Sequence, residues 1–428
     1  MHPLPHPAAL VRRRWHVPPP LAHGDDVLEG LSVLDDVPGE FGIVLWQALR
    51  DASLWAASSP QARTGIFAAG AERTRVAALI SAAVPRELEG PLGTLAAVAG
   101  AGEDVGESRV SLALREISLW LDERGLLGSA LAFAHAGATV AAGDATAAFT
   151  VARLARRRAE HVRAETWYRR AALLARQSAD WSIYARTFMG LGALYLQRGN
   201  LPVSYRFRRR ALAATERRQL HHLRGVAHHD LFEAAIHMER PAEAQEQAAL
   251  ALAAYGDGHA RVPMLAHDLA YFWMTQGRFA PALELFTAIE RHFHDDAARA
   301  LVVACRIRAA GGAGRSAEFH DGWRDLQALL GRAGRNERHA SVMLEAARGA
   351  ASMGAWTLAE DAGVAALDAA TRRGEGQGRL AAEAVLDCVR RRAAIPLDAS
   401  PSFSGLERDA DALASTVLHS LAMAGASE

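Results

Sequence analysis

The sequence is poor in cysteine, in strand-forming residues, in aromatics and in net charge, and each shortage removes a class of protein. Only Cys305 and Cys388 occur in 428 residues. That is too few for a disulfide framework or a cysteine-ligated zinc cluster, so a reducing cytoplasm is the expected compartment. Isoleucine and tyrosine are sparse, which argues against a large sheet. Aromatics make up 7% of the chain, a thin supply for an enzyme-sized core but enough where small residues let helices approach closely. Lys+Arg and Asp+Glu each total 48; without a basic excess, nucleic acid is disfavoured as a partner. No apolar run reaches the roughly 18 residues that a bilayer span needs before Arg, Glu or Gly interrupts it, so no membrane partner is expected. The opening stretch MHPLPHPAALVRRRWHVPPP has no signal-peptide core and is broken by prolines, so residues 1–40 read as a disordered or irregular arm.

What remains is a chain rich in alanine, leucine, arginine and glutamate, all strong helix formers. The basic charge is carried by arginine, which with the alanine content associates with GC-rich bacterial genomes. The length allows two or three globular domains or one extended solenoid, and the composition favours the solenoid.

A repeat supports that choice. Residues 185–218 place Leu191, Gly192 and Tyr195 on a first helix, then a turn at Arg198-Gly199-Asn200, then Ser204, Phe207 and Ala211 on a second helix. The small residue lets the paired helix approach, the Gly-Asn turn tolerates a left-handed conformation, and the later alanine seats the next repeat. This pattern resembles the tetratricopeptide repeat (TPR). Further copies fall at 111–144, 145–178, 225–258, 263–296 and 340–373, with a weaker one around 301–335. The resemblance implies an all-α fold, a right-handed α-α superhelix of antiparallel helix pairs, with the loose spacing of regulator-type arrays. The expected organisation is an arm over 1–40, degenerate helical pairs over 41–110, the repeat array over 111–373 and capping helices over 374–428. Residues 379–393 and 405–424 are expected to close the array as a pair. The glycine-rich stretch Ala309 to Arg315 reads as a helix–helix turn, since it lacks GxxxxGK[ST] and follows a helix.

The resemblance also implies a concave groove lined by the first helix of each pair. Carried over position by position, it comprises Phe149, Arg153, Arg156 and Arg157; Arg186, Met189, Ala193 and Gln197; His229, Asp230, Glu233 and His237; and His267, Asp268, Tyr271 and Met274. His-Asp-Leu recurs at the same place in consecutive repeats, as His229-Asp230-Leu231 and His267-Asp268-Leu269. His229, Glu233 and His237 share one helical stripe. One reading is a weakly acidic docking strip for backbone amides or a basic group; a sharper one is a metal site completed by His267; the plainest is solvated polar surface or contacts between repeats. Asp230 and Asp268 stand where carboxylate-gripping members of the family use basic residues, so that clamp is disfavoured. The runs Arg156-Arg157-Arg158, Arg206 with Arg208-Arg209-Arg210, and Arg390-Arg391-Arg392 read as helix-end or outer-face solvation. His221-His222 reads as surface in a turn.

No GxSxG, HExxH, nucleotide-binding glycine motif or Cys/His metal spacing occurs, so no catalytic residue, cofactor or metal is expected. The function expected from the sequence is a scaffold or adaptor binding another protein or peptide. The alternative is a bacterial regulatory sensor whose array binds a peptide or small effector without a DNA-binding domain of its own. Oligomeric state is not legible.

Overall fold

The computed structural model describes residues 32–100, 105–333, 338–396 and 407–425, and among these every element is a helix or a turn. In chain order the longer helices are α1 (Gly39–Ala57), α2 (Ala71–Ser81), α3 (Arg86–Ala97), α4 (Glu107–Glu123), α5 (Leu127–Val140), α6 (Ala145–Arg157), α7 (His161–Gln177), α8 (Trp181–Gln197), α9 (Leu201–Arg217) and α10 (His221–His237). They continue with α11 (Pro241–Tyr255), α12 (Val262–Thr275), α13 (Phe279–Ile289), α14 (Asp296–Gly312), α15 (Ser316–Ala333), α16 (His339–Ser352), α17 (Trp356–Arg372), α18 (Gly376–Arg391) and α19 (Glu407–Gly425). The chain divides into two compact units, Met1–Leu194 and Tyr195–Glu428. Each is a stack of antiparallel helix hairpins, so the all-α, TPR-like reading holds. Most of the irregular arm expected over 1–40 lies outside the described residues; its described part is helical at 32–36 and again from Gly39.

The hairpins are made by one recurring turn. After α8, the Gly199 amide donates to Leu196 and the Asn200 amide to Tyr195, both at 2.9 Å, with Gly199 at φ +72°. This is the Schellman geometry that stops a helix in one left-handed residue. The same pair of bonds follows α10, where Glu239 at φ +54° takes glycine's place and the Arg240 amide reaches Ala235 at 2.9 Å. Ala159 and Gln219 do likewise after α6 and α9. Helices α8 and α10 begin about one turn before the repeat frame read from sequence, so His221 and His222 open α10, exposed, rather than lying in a turn.

In the first unit the core is small and alanine-rich, anchored by side chains such as Leu114, Ile117, Phe133 and Trp167. Apolar positions three or four apart place them on one face of each helix, and that face is what the next hairpin covers.

In the second unit two contacts depart from expectation. Gly311 and Gly312 belong to the last turn of α14 rather than to a helix–helix turn, which falls at Ala313-Gly314. A Cβ on Gly311 would sit 2.4 Å from the Gly349 carbonyl oxygen, and one on Gly349 would sit 2.8 Å from the Arg308 backbone. Helices α14 and α16 therefore cross backbone to backbone. Secondly, α18 and α19 were expected to close the array together. Helix α18 packs on α16 and α17, whereas α19 runs back to lie against α11, α12 and α13. It adds Ala410, Leu413, Val417 and Leu421 to their core. An apolar stripe alone does not say which exposed seam it will cover.

Candidate functional site

The second unit runs a chain of polar and charged side chains from the second helix of one hairpin onto the first helices of the hairpins that follow. It begins at Arg208 on α9. Ser204, Arg208, Ala211 and Thr215 form one buried stripe of that helix, with Arg208 only 1% exposed. The guanidinium donates to Glu233 Oε2 at 2.6 Å and also to the backbone carbonyl oxygen of Asp230. The outer-face reading of Arg208 is thus corrected: it is the buried anchor of α10. Its neighbours Arg206, Arg209 and Arg210 are exposed, as are Arg390, Arg391 and Arg392.

The two His-Asp-Leu copies take equivalent environments. Leu231 and Leu269 are core residues, His229 and His267 are buried, and Asp230 and Asp268 are half-buried. What links the copies is Asp268. His229 Nε2–H donates to Asp268 Oδ2 at 2.8 Å, and His267 Nδ1–H donates to Asp268 Oδ1 at 2.9 Å. The Tyr255 hydroxyl completes the group, 3.3 Å from His229 Nδ1. The carboxylate partner places a proton on His229 Nε2 and on His267 Nδ1. Tyr255 reaches the site because Gly225 has no side chain: a Cβ there would stand 2.5 Å from the tyrosine ring. Sequence reading missed Tyr255, which lies at the end of a second helix, outside the positions assigned to the groove.

The electrostatics separate the two aspartates. Burial alone would raise the Asp268 carboxyl, but the hydrogen bonds from His229 and His267 overcome it and hold the group well below the usual carboxylate range. Burial pushes the Asp230 carboxyl up to about 6, only partly offset by the Arg208 guanidinium. Burial likewise pushes the Tyr255 phenol up to about 12, so it remains a donor at neutral pH.

This geometry corrects the metal reading. Both ring nitrogens of His229 already carry hydrogen bonds, Glu233 is taken by Arg208, and His237 is exposed. Among the described residues no group of three or more His, Cys, Asp or Glu is placed to hold a metal ion.

The next hairpins carry a second cluster. Tyr271 on α12 donates to Glu345 Oε1 on α16 at 3.4 Å, and Glu345 is gripped by Arg308 Nη1 and Arg348 Nη1, each at 2.7 Å. Burial would raise Glu345, but the two guanidiniums hold it below its ordinary value. The Glu345 charge, followed by burial, pushes the Tyr271 phenol up to about 12. Of this cluster only Tyr271 was assigned to the groove from sequence. Met274 was also assigned there, and that is corrected: it is wholly buried among core side chains.

The groove residues expected in the first unit are more scattered. Arg153 and Arg157 both bind Asp122 of α4, Arg153 at 2.7 Å. Phe149 packs on Tyr168 at 6.0 Å, and Arg156 is half-buried beside the same tyrosine. Met189 is 8% exposed and belongs to the core, a second correction, while Arg186 is exposed. In the second unit Gln197 is exposed. The structure therefore gathers His229, Asp230, Glu233, His267 and Asp268 into one region with His237 at its edge, sets Tyr271 in the neighbouring Glu345 cluster, and leaves the others outside.

The site and fold define a helical-repeat protein with a polar strip on the first helices of its second unit. No protein-family model and no curated protein matches the chain. Among solved structures it is similar to PilF of Pseudomonas aeruginosa, at 18% identity over 53% of this chain and 94% of that one, with a TM-score of 0.38. It is also similar to the TPR2AB domain of yeast Sti1 in its complex with pHSP90, at 13% identity over 66% of this chain and 99% of that one, with a TM-score of 0.28. Among the described residues no helix is long and apolar enough to cross a membrane.

Proposed function

We propose that the chain is a protein- or peptide-binding scaffold whose second unit recognises a basic segment through Asp230, Glu233 and Asp268. The observation that carries this reading is the arrangement of Asp268. Its two carboxylate oxygens are held by hydrogen bonds from His229 and His267, and its side chain is 31% exposed. A carboxylate kept ionised, oriented by fixed hydrogen bonds and open to solvent suits a guanidinium, ammonium or backbone amide arriving from outside. Arg208 orients Glu233 from beneath while leaving 44% of its side chain exposed. The strip repels carboxylates, so acidic C-terminal peptides are poor ligands.

The test uses the full chain and fluorescent peptide pairs that differ only in carrying arginine or glutamate. Arginine peptides bind preferentially, and Asp268→Asn weakens them about ten-fold, the cost of one charge-assisted hydrogen bond. Helicity is unchanged in that variant. Equal binding of both peptide classes, or unaltered affinity in Asp268→Asn, would count against the strip.

A further inference from the structure

The outer face of α9 presents a charged surface apart from the polar strip. The helix reads LPVSYRFRRRALAATER, five arginines against the single acid Glu216. Arg208 belongs to the buried stripe. Arg206 and Arg217 lie on the side away from it, flanked by Arg209 and Arg210, and all four are exposed. Arg217 stands in the last turn, where the helix dipole accounts for a cation. Arg206, Arg209 and Arg210 stand mid-helix, where the dipole gives no such reason.

Their spacing works against the helix. Arginines three and four positions apart are neighbours on a helix surface, so Arg206 repels both Arg209 and Arg210. Exposed arginines on other helices of the second unit carry an acid at that spacing: Arg324 with Asp321, Arg372 with Asp368, Arg379 with Glu383 and Arg391 with Asp387. Arg206 and Arg209 have no ion-pair partner among the described residues. Glu243 of α11, which reaches α9, is held by the Tyr205 hydroxyl and by Arg240. Solvation alone is met by mixed charges, as on α17 and α18, whereas α9 keeps charge of one sign at a cost in helix stability.

We propose that the outer face of α9 is a docking surface for an acidic segment of a partner protein, a helix whose carboxylates interleave with Arg206, Arg209, Arg210 and Arg217. Charge complementarity carries the choice of occupant. The chain as a whole has a formal net charge of zero, so the positive field is local and suits a short acidic stretch rather than a long polyanion. No large apolar side chain of α9 is exposed among the described residues, which leaves nothing to enter a lipid surface. Guanidiniums take carboxylates two-pronged, and each pair gained also relieves the repulsion within α9. The surface is on the second helix of its hairpin, so it acts apart from the acidic strip.

The experiment uses the full chain and a labelled alanine-rich helical peptide with glutamate along one face, beside its glutamine counterpart. The glutamate peptide binds wild type about ten-fold more tightly than the glutamine one, and Arg206→Glu removes that preference. Arg206→Glu leaves affinity for an arginine peptide within about two-fold, which separates this surface from the strip. The same change sets an acid before Arg209 and Arg210 in the favoured order, so the thermal midpoint of the variant is no lower than that of wild type. Equal binding of the two peptides, or a glutamate preference that survives Arg206→Glu, overturns the proposal. A midpoint that falls in Arg206→Glu also overturns it, because Arg206 then serves the fold. Tighter binding of a single-stranded oligonucleotide of equal charge, or Arg206-dependent capture by phosphatidylserine vesicles, overturns the assignment to a protein segment.

Discussion

Asp268 and Glu345 are both carboxylates on first helices of the second unit, and each is gripped from two sides. Asp268 lies between two histidines and stays 31% exposed; Glu345 lies between two arginines and its side chain is 5% exposed. Two histidine hydrogen bonds hold the first group ionised and leave it open to solvent. Two guanidiniums turn the second into a buried cluster with a net positive charge, shut away from ligands. On the proposed reading the same residue chemistry serves recognition at one place and cohesion at the other, and the difference lies in the partners, histidine against arginine, and in burial. An ion pair this deep costs much desolvation, so its presence is weak evidence of net stabilisation, but breaking it on one side leaves charge uncompensated.

The largest effect should therefore come from Glu345→Ala. It leaves Arg308 and Arg348 facing each other beside the α14–α16 crossing, at a cost of about 3–5 kcal/mol. Thermal denaturation reads this as a fall on the order of 10 °C in the midpoint of the second unit. Affinity for basic peptides should barely change among the molecules that remain folded. A loss under about 1 kcal/mol would break the comparison, because Glu345 would then be no more structural than Asp268.

The contrast between these clusters was only half legible in the sequence. The duplicated His-Asp-Leu is a local signal at fixed register, and the structure keeps both copies in equivalent places. The bond joining His229 to Asp268 crosses 39 positions, and no pattern within one helix specifies it. Arg208 was misread because its run of neighbours suggested solvation. Its place among Ser204, Ala211 and Thr215, on the small-residue stripe that seats the next hairpin, is the signal that could have found it. Glu345 and Arg308 had no such signal, since an isolated Glu on an alanine-rich helix reads as surface until its partner helix is placed. The hairpins themselves were legible because Gly-Asn and Gly-Arg turns punctuate helix-forming runs. Where Ala159, Gln219 and Glu239 adopt the same turn without glycine, the frame blurred. The return of α19 onto α11–α13 depends on which seam is left uncovered, a property of the assembled core.

A smaller effect separates the two aspartates of the strip. The Asp230 carboxyl, raised to about 6 by burial, binds its proton more tightly in the folded chain than in the unfolded one. Its sign is opposite to that of Asp268. Stability associated with Asp230 is full below the unfolded value near 4 and is lost as pH rises through 6. Asp268, held low, contributes fully above that unfolded value and loses its contribution only on acidification below it. Allowing for the solvent that reaches Asp230, the loss between pH 4 and pH 6.5 is about 1–2 kcal/mol. Urea titrations of wild type and Asp230→Asn across that range should diverge accordingly, with the variant showing the flatter profile. Parallel profiles would mean that Asp230 is hydrated like any surface carboxylate, and the strip would lose one of its poised groups. The same titration makes affinity for a basic peptide rise as pH passes upward through 6.

The smallest effect tests whether recognition and repeat stability can be tuned apart. Gly199 after α8 and Glu239 after α10 hold the same left-handed turn, at φ +72° and +54°. Glutamate accepts that conformation at a cost of roughly 1–2 kcal/mol from its Cβ, whereas glycine accepts it freely. Part of this gain is returned because glycine also loosens the unfolded chain. Glu239→Gly should accordingly stabilise the second unit by about 0.5–1 kcal/mol, measured by chemical denaturation. Glu239 is exposed and follows α10, well past His229 and Glu233, so the strip's geometry should persist and peptide affinity should stay within two-fold or so of wild type. If affinity instead falls as the turn is stabilised, strain at the end of α10 is part of how the strip receives its ligand. The contrast between a recognition cluster and a cohesion cluster would then have to include the turns that frame them.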